Sequence, residues 1–253
     1  MLAIDINCDM GESTHLWPYD IEKDIALFPY LSSINIACGF HAGDPFTMHE
    51  LVAAASEAEI AIGAHVSFMD RENFGRTNIN LSPEQVYDLV VYQIGALQAF
   101  LKLYDVTLHH VKPHGALYNM AATDPALANT ICRAIKNTDN NMILYGLAGS
   151  ELVKQAHAAK LITYSEVFAD RTYRDDGSLT PRSEPNALIE DEAVCVRHVL
   201  QMVKDDVVTT TSGKKIPLDA ETVCIHSDGP HALTFAQRIH QALKKQGIEI
   251  TAV

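Results

Sequence analysis

Ile34-Asn35-Ile36-Ala37-Cys38-Gly39-Phe40-His41-Ala42-Gly43-Asp44-Pro45 runs from an apolar, β-branched segment through a histidine and a glycine turn to an Asp-Pro pair. An apolar run of this length bounded by turn residues reads as a buried strand, and Asp followed by Pro is a helix start, with the carboxylate as cap and the proline at the first helical position. One strand-to-helix unit is therefore written in twelve residues, with an imidazole at the strand's C-terminal end. Outward from it the pattern repeats. Ile60–His65, Leu108–His114 (with the doubled His109-His110 inside it) and Thr222–His226 are apolar runs that also end in histidine, while Asp5–Asp9 and Ile162–Glu166 end in a carboxylate.

Strands are expected near 2–8, 33–38, 60–65, 107–112, 142–147, 161–166 and 222–227, and helices near 20–30, 46–59, 82–104, 124–137, 149–159, 190–204 and 230–246. Ser82-Pro83-Glu84-Gln85 and Thr123-Asp124-Pro125 repeat the start signals. Seven βα units in a row predict a parallel α/β fold, a closed or nearly closed TIM-like barrel filling 1–253 as one domain. In such folds all strand C-termini open on one face, so the ionisable groups are expected to gather on one rim. As rim groups, Lys112 and His114 should tolerate replacement by Ala with little loss of stability.

Two stretches interrupt the rhythm. Residues 66–81 and 167–189 are long, polar, Gly- and Pro-punctuated, and directly follow strands, which predicts active-site loops. Residues 207–217 look like a peripheral hairpin around Ser212-Gly213, and 248–253 like a short closing strand or an extension.

Composition excludes some partners. A net charge of −13, from 32 acidic against 19 basic residues with no basic run, argues against nucleic acid and anionic membrane. The five cysteines, at 8, 38, 132, 195 and 224, make no CxxC pair, so a reducing compartment is expected. With neither a targeting pattern nor an apolar run of membrane-spanning length, the expected location is the cytoplasm.

The candidate chemistry follows the strand ends. Asp5, Asn7 and Asp9 share one side of the first strand by its two-residue period, with Glu12 in the loop beyond, and buried polar groups need partners or a ligand. His41 precedes a helix start whose cap is Asp44, and His65 closes the third strand. Lys112-Pro113-His114-Gly115-Ala116-Leu117-Tyr118 is the densest cluster; a lysine ending an apolar strand is either paired or shifted down in pKa to handle protons. Glu166, Asp170 and Arg171 offer a carboxylate acid or base and a guanidinium able to grip a carboxylate, and His226 with Asp228 resembles an imidazole oriented by an aspartate. GxSxG, GxxxxGK[ST] and GxGxxG are all absent, which leaves water as the nucleophile.

The stretches DINCDMGES, SINIACGFHAGDP, IGAHVSFMD, FGR, YQIGAL, HVKPHGALYN, EVFADRTYRDDGSLTPR and CIHSD resemble, in order from residue 4 to residue 228, the LamB/YcsF family, identified with the A subunit of bacterial ATP-dependent 5-oxoprolinase. Departures such as Val66-Ser67-Phe68-Met69, Arg76-Thr77 and Ser227 fall in loops. The resemblance implies an irregular barrel similar to the polysaccharide deacetylases. It also implies opening of the lactam of 5-oxo-L-proline to L-glutamate, with ATP as co-substrate, no tightly bound cofactor or catalytic metal, and the B and C subunits as partners. On that basis Asp9, His41, His65, Lys112, His114 and Glu166 are the expected catalytic set, and Asn7, Glu12, Asn35, Tyr118, Asp170, Arg171, His226 and Asp228 the expected substrate-binding set. Within them, Lys112 and Arg171 would bind anionic groups, His114 or Glu166 would move protons, and Asp9, His41 and His65 would position water. Two further readings fit the same residues: a deacetylase or amidase with a divalent metal on Asp9, His41, His65 and His114, and a non-catalytic protein that binds small acids for its partners.

Overall fold

A computed structural model of the chain describes residues 2–15, 19–226 and 232–252. β1 (Ala3–Met10), β2 (Ser33–Ala37), β3 (Ala61–Val66), β4 (His110–Pro113), β5 (Ile143–Leu147) and β6 (Ile162–Phe168) pair in parallel in chain order. The antiparallel hairpin of β7 (Val207–Thr209) and β8 (Lys215–Pro217) comes next, followed by β9 (Thr222–His226), which pairs with both β6 and β1 and so closes the ring. The expected seven-stranded barrel is therefore present. The tail contributes β10 (Glu249–Ile250), which lies in parallel beside Ala3 and Ile4; it extends β1 at its start, and closure belongs to β9.

The helices are α1 (Ile21–Ile25), α2 (Pro45–Glu57), α3 (Pro83–Leu101), α4 (Gly115–Ala121), α5 (Pro125–Thr138), α6 (Glu151–Ala158), α7 (Glu192–Asp205) and α8 (Ala232–Lys245). Asp44 caps α2 through the amides of Phe46 and Thr47, and Ser82 with Gln85 forms a reciprocal capping box on α3. The single helix expected over 20–30 is instead the short α1 followed by a 3-10 turn at Phe28–Tyr30, because Pro29 has no amide hydrogen with which to continue the α pattern. α4 is additional to the expected helices; its seven residues start directly at the His114 strand end.

The strands sort their side chains by parity. Ile4, Ile6, Cys8 and Met10 of β1, Ile34 and Ile36 of β2, Ile62, Ala64 and Val66 of β3 and Val111 of β4 are at most 1 % exposed and belong to the apolar layer shared with the helices. Burying each large aliphatic side chain contributes about 1.5–3 kcal/mol. The alternate positions carry Asp5, Asn7, Asp9, Ser33, Asn35, His65, His110, Lys112, Glu166 and Thr222, all buried and linked by side-chain hydrogen bonds or ion pairs. The barrel interior is thus a polar core wrapped by an apolar one. Gly63 leaves room for it: a Cβ there would lie 2.1 Å from His110 Nε2.

Candidate active site

At the start of the strands the interior is closed by hydroxyls on a carboxylate. Ser32, Ser33 and Thr222 all donate to Asp5, at 2.6, 2.9 and 2.5 Å. Burial raises the Asp5 pKa in spite of these donors. The Asp5 network ties β1, β2 and β9 together below the histidines.

The next set centres on Lys112. Its ammonium donates to Asp9 Oδ1 at 2.8 Å and Glu166 Oε1 at 2.7 Å, and lies 3.1 Å from Cys224 Sγ and 3.3 Å from Asn7 Oδ1. Asn7 donates to Glu166 Oε1 and Thr222, Asn35 donates to Asn7 and Asp9, His110 donates to Asn35, and Tyr118 donates to Glu166 Oε2 at 2.7 Å. Lys112 is 2 % exposed and Glu166 fully buried, so both lie inside the barrel and not on its rim. Burial by itself would lower the Lys112 pKa, but Asp9, Cys224 and Glu166 outweigh it and hold the ammonium charged well above its ordinary range. Of the two states expected for this lysine, the paired one is formed. Lys112 is therefore not the rim group on which its expected tolerance of Ala rests: with two buried carboxylates on its ammonium, its replacement is expected to cost stability.

The third set is made of strand ends and the loops beyond them. His65 Nδ1 faces the Lys112 carbonyl at 3.0 Å, and His65 Nε2 lies 2.9 Å from His114 Nδ1, 3.2 Å from Asp9 Oδ2 and 3.7 Å from Glu12 Oε1. His114 Nε2 faces the Phe74 carbonyl at 2.9 Å. His41 stacks on His114 with ring centres 3.9 Å apart, places Nε2 3.0 Å from Glu12 Oε1, and buries Nδ1 with no hydrogen-bond partner. Desolvation holds both His41 and His114 well below the ordinary imidazole range. The loop at 66–81 seats this set: the Phe74 ring packs edge-on against His41 and His114, and Arg71 reaches across to the carbonyls of Gly39, Gly43 and Ser13. Glu12, His41, His65 and His114 each offer a ligand atom within 4.8 Å of the others, as do Asp9, Cys224 and His226. In the histidine-rich set Glu12 stands where the sequence suggests Asp9, since Asp9 Oδ1 is engaged by Lys112 and Asn35.

His226 lies beside Asp9 in register and faces Asp170, 2.8 and 2.9 Å from its two oxygens. Burial raises the Asp170 pKa, and His226 more than offsets this, leaving the carboxyl low. The carboxylate on that imidazole is therefore Asp170; Asp228 lies outside the described residues. Arg171 turns into its own loop, donating to the Thr180 and Ala187 carbonyls, and burial brings its guanidinium down to about 10. Asp9, Glu12, His41, His65, Lys112, His114 and Glu166, with Asn7, Asn35 and Tyr118, are brought into one connected network, from which Arg171 points away.

Three participants escape a reading of residue types alone: Cys224 as a neighbour of Lys112, Arg71 as the tie between three loops, and the Phe74 carbonyl. Register with β1 is the available signal for Cys224, which pairs with Asn7; a backbone carbonyl leaves no signal in residue identity.

The LamB/YcsF family matches residues 4–253. The 5-oxoprolinase A subunit of Brevibacillus brevis is 55 % identical over 252 residues, covering 100 % of this chain and 98 % of the relative, and that of Bacillus subtilis is 53 % identical with the same coverage. The crystal structure of the lactam utilization protein from Thermus thermophilus superimposes with a TM-score of 0.92 at 41 % identity, covering 100 % of both chains. A family 4 carbohydrate esterase from Streptomyces lividans, at 11 % identity and a TM-score of 0.50, covers 99 % of this chain and 92 % of that one and shares the fold. Among the described residues no helix is long and apolar enough to cross a membrane.

Proposed function

The chain belongs to the LamB/YcsF family, and on that premise we propose that it is the A subunit of an ATP-dependent 5-oxoprolinase. In this reading it is one barrel domain over 1–253, acts in the cytoplasm with the B and C subunits, and takes part in opening the lactam of 5-oxo-L-proline to L-glutamate as ATP becomes ADP and phosphate. The observation that carries the reading is identity above 50 % across the full length of relatives that bear this name.

The site suits the chemistry. An unactivated lactam is a poor electrophile, and phosphorylation of its oxygen by ATP makes the ring carbon open to water. Expulsion of the ring nitrogen from the tetrahedral centre then breaks the C–N bond and leaves an acyl phosphate, which a second water cleaves to glutamate and phosphate. Each water must lose a proton and the nitrogen must gain one. Glu166, oriented by Asn7 and Tyr118 and neutralised by Lys112, is assigned the proton transfer, and Asp9 with His65 the alignment of water. Lys112, saturated by two carboxylates, holds those groups in place and is not free to grip a substrate anion. Arg171 shapes the loop over the site. A divalent ion would be held by His65, His114 and Glu12, and it would supply polarisation of an oxygen beside them.

The test is reconstitution. Purified chain mixed with the two partner proteins should form glutamate from 5-oxoproline only when ATP is present. Failure of the complete mixture, with partners that are active alongside the A subunit of another 5-oxoprolinase, would refute the reading.

A further inference from the structure

The histidine-rich set has a chemical peculiarity that its hydrogen bonds reveal. The Lys112 carbonyl facing His65 Nδ1 and the Phe74 carbonyl facing His114 Nε2 can only accept, so each of those nitrogens carries its ring's hydrogen. In the neutral rings the remaining nitrogens, His65 Nε2 and His114 Nδ1, are bare lone pairs, and they face each other at 2.9 Å. Glu12 Oε1 lies 3.3 Å from His114 Nδ1 and 3.7 Å from His65 Nε2, and Asp9 Oδ2 lies 3.2 Å from His65 Nε2, while His41 Nε2 can donate to Glu12 Oε1 at 3.0 Å. The two lone pairs and the two carboxylate oxygens, at this spacing, repel one another unless something positive lies among them.

We propose that Glu12, His65 and His114 bind a divalent transition-metal ion, with the His41 ring stacked on His114 beside it. Ligands at about 2.0–2.1 Å from a tetrahedral ion stand roughly 3.3 Å from one another. The separations of 2.9, 3.3 and 3.7 Å among these three scatter around that edge length. Backbone carbonyls that fix the tautomer and ring plane of ligating histidines are the usual outer support of a metal site, and both rings have one. The Phe74 ring and the stacked His41 ring pack against His114. The donors are imidazole nitrogen and carboxylate oxygen without thiolate, which suits zinc, cobalt, manganese or iron(II) over magnesium or calcium, whose sites are built from oxygen. The other clustered set, Asp9 with Cys224 and His226, does not invite a cation, because the Lys112 ammonium already lies against both Asp9 and Cys224.

This inference goes beyond the proposed reaction and does not depend on it. The experiment is cobalt(II) titration of tag-free, chelator-stripped protein, followed by visible absorption and thermal melting. About one cobalt per chain should bind with the intense visible bands of a low-coordinate nitrogen–oxygen site, zinc should bleach them, and either ion should raise Tm. The bands should be lost in His65→Gln, His114→Gln and Glu12→Gln and retained in His49→Gln, whose ring is exposed on α2. Because the buried histidine variants can be impaired in folding, the stripped wild type decides. A natively folded wild type that develops no bands and no rise in Tm under excess cobalt would overturn the proposal, as would bands that persist in Glu12→Gln and both histidine variants.

Discussion

Lys112 shows what a single buried charge commits a protein to. It sits between Asp9 and Glu166 with almost no exposed surface, and the three charges are stable only together. Lys112→Met should lower unfolding stability by about 3–5 kcal/mol, since the methionine fills the space but takes the ammonium from two buried carboxylates; urea denaturation measures it, and a change within experimental scatter would show that the ammonium is dispensable. His198 makes a second prediction. It lies buried against Tyr173 with Nε2 unpartnered, and desolvation brings its pKa down to about 4. Above the ordinary imidazole value neither folded nor unfolded chain is protonated there. As pH falls from about 6.5 to about 4 the unfolded chain takes up a proton that the native chain refuses, so stability is lost across that window, by about 3 kcal/mol in all. His198→Leu should remove that part of the acid sensitivity, read as a shallower fall of stability between those pH values than in the wild type.

At the scale of elements, the loop over 70–77 acts as a strap across the histidines. Gly75 lies at φ +66° with no room for a side chain: a Cβ would stand 2.4 Å from Ser67 Oγ and 2.8 Å from the His41 Cβ. Gly75→Ala should therefore lift the strap, cost about 1–3 kcal/mol of stability, and weaken activity more than a comparable change in the peripheral hairpin, such as Gly213→Ala. Equal effects at the two glycines would contradict this role. The strands, helix starts and both long loops are legible in the sequence because apolar period, caps and turn residues are local properties. Asp44 and Ser82 cap as their sequences indicate. What is not legible is cooperative: α4 depends on the packing of Ala116, Leu117 and Ala121, and the partner of His226 depends on a loop bringing Asp170 to it. The strand ends mark where the site lies, while the depth of Lys112 and Glu166 emerges only from closure of the barrel, which folds alternate positions inward.

The whole molecule is an inverted barrel, polar along its axis and apolar between strands and helices, and this division explains how a chain with 20 % charged residues and a net charge of −13 can devote so many ionisable groups to its interior. The same charge, without any recognised phosphate-binding loop, makes unaided capture of ATP unfavourable, so the isolated chain should neither hydrolyse ATP nor open 5-oxoproline efficiently. With the partners present, the network around Lys112 and Glu166 is where the proton transfers of lactam opening are assigned. ATP-dependent glutamate formation by the reconstituted assembly carrying Glu166→Gln tests that assignment, because the substitution keeps the shape of the side chain and its contact with Tyr118 but removes the base. The expected result is a fall in kcat of about 10²–10⁴-fold with the complex still assembled; a properly assembled Glu166→Gln enzyme turning over at nearly the wild-type rate would contradict it.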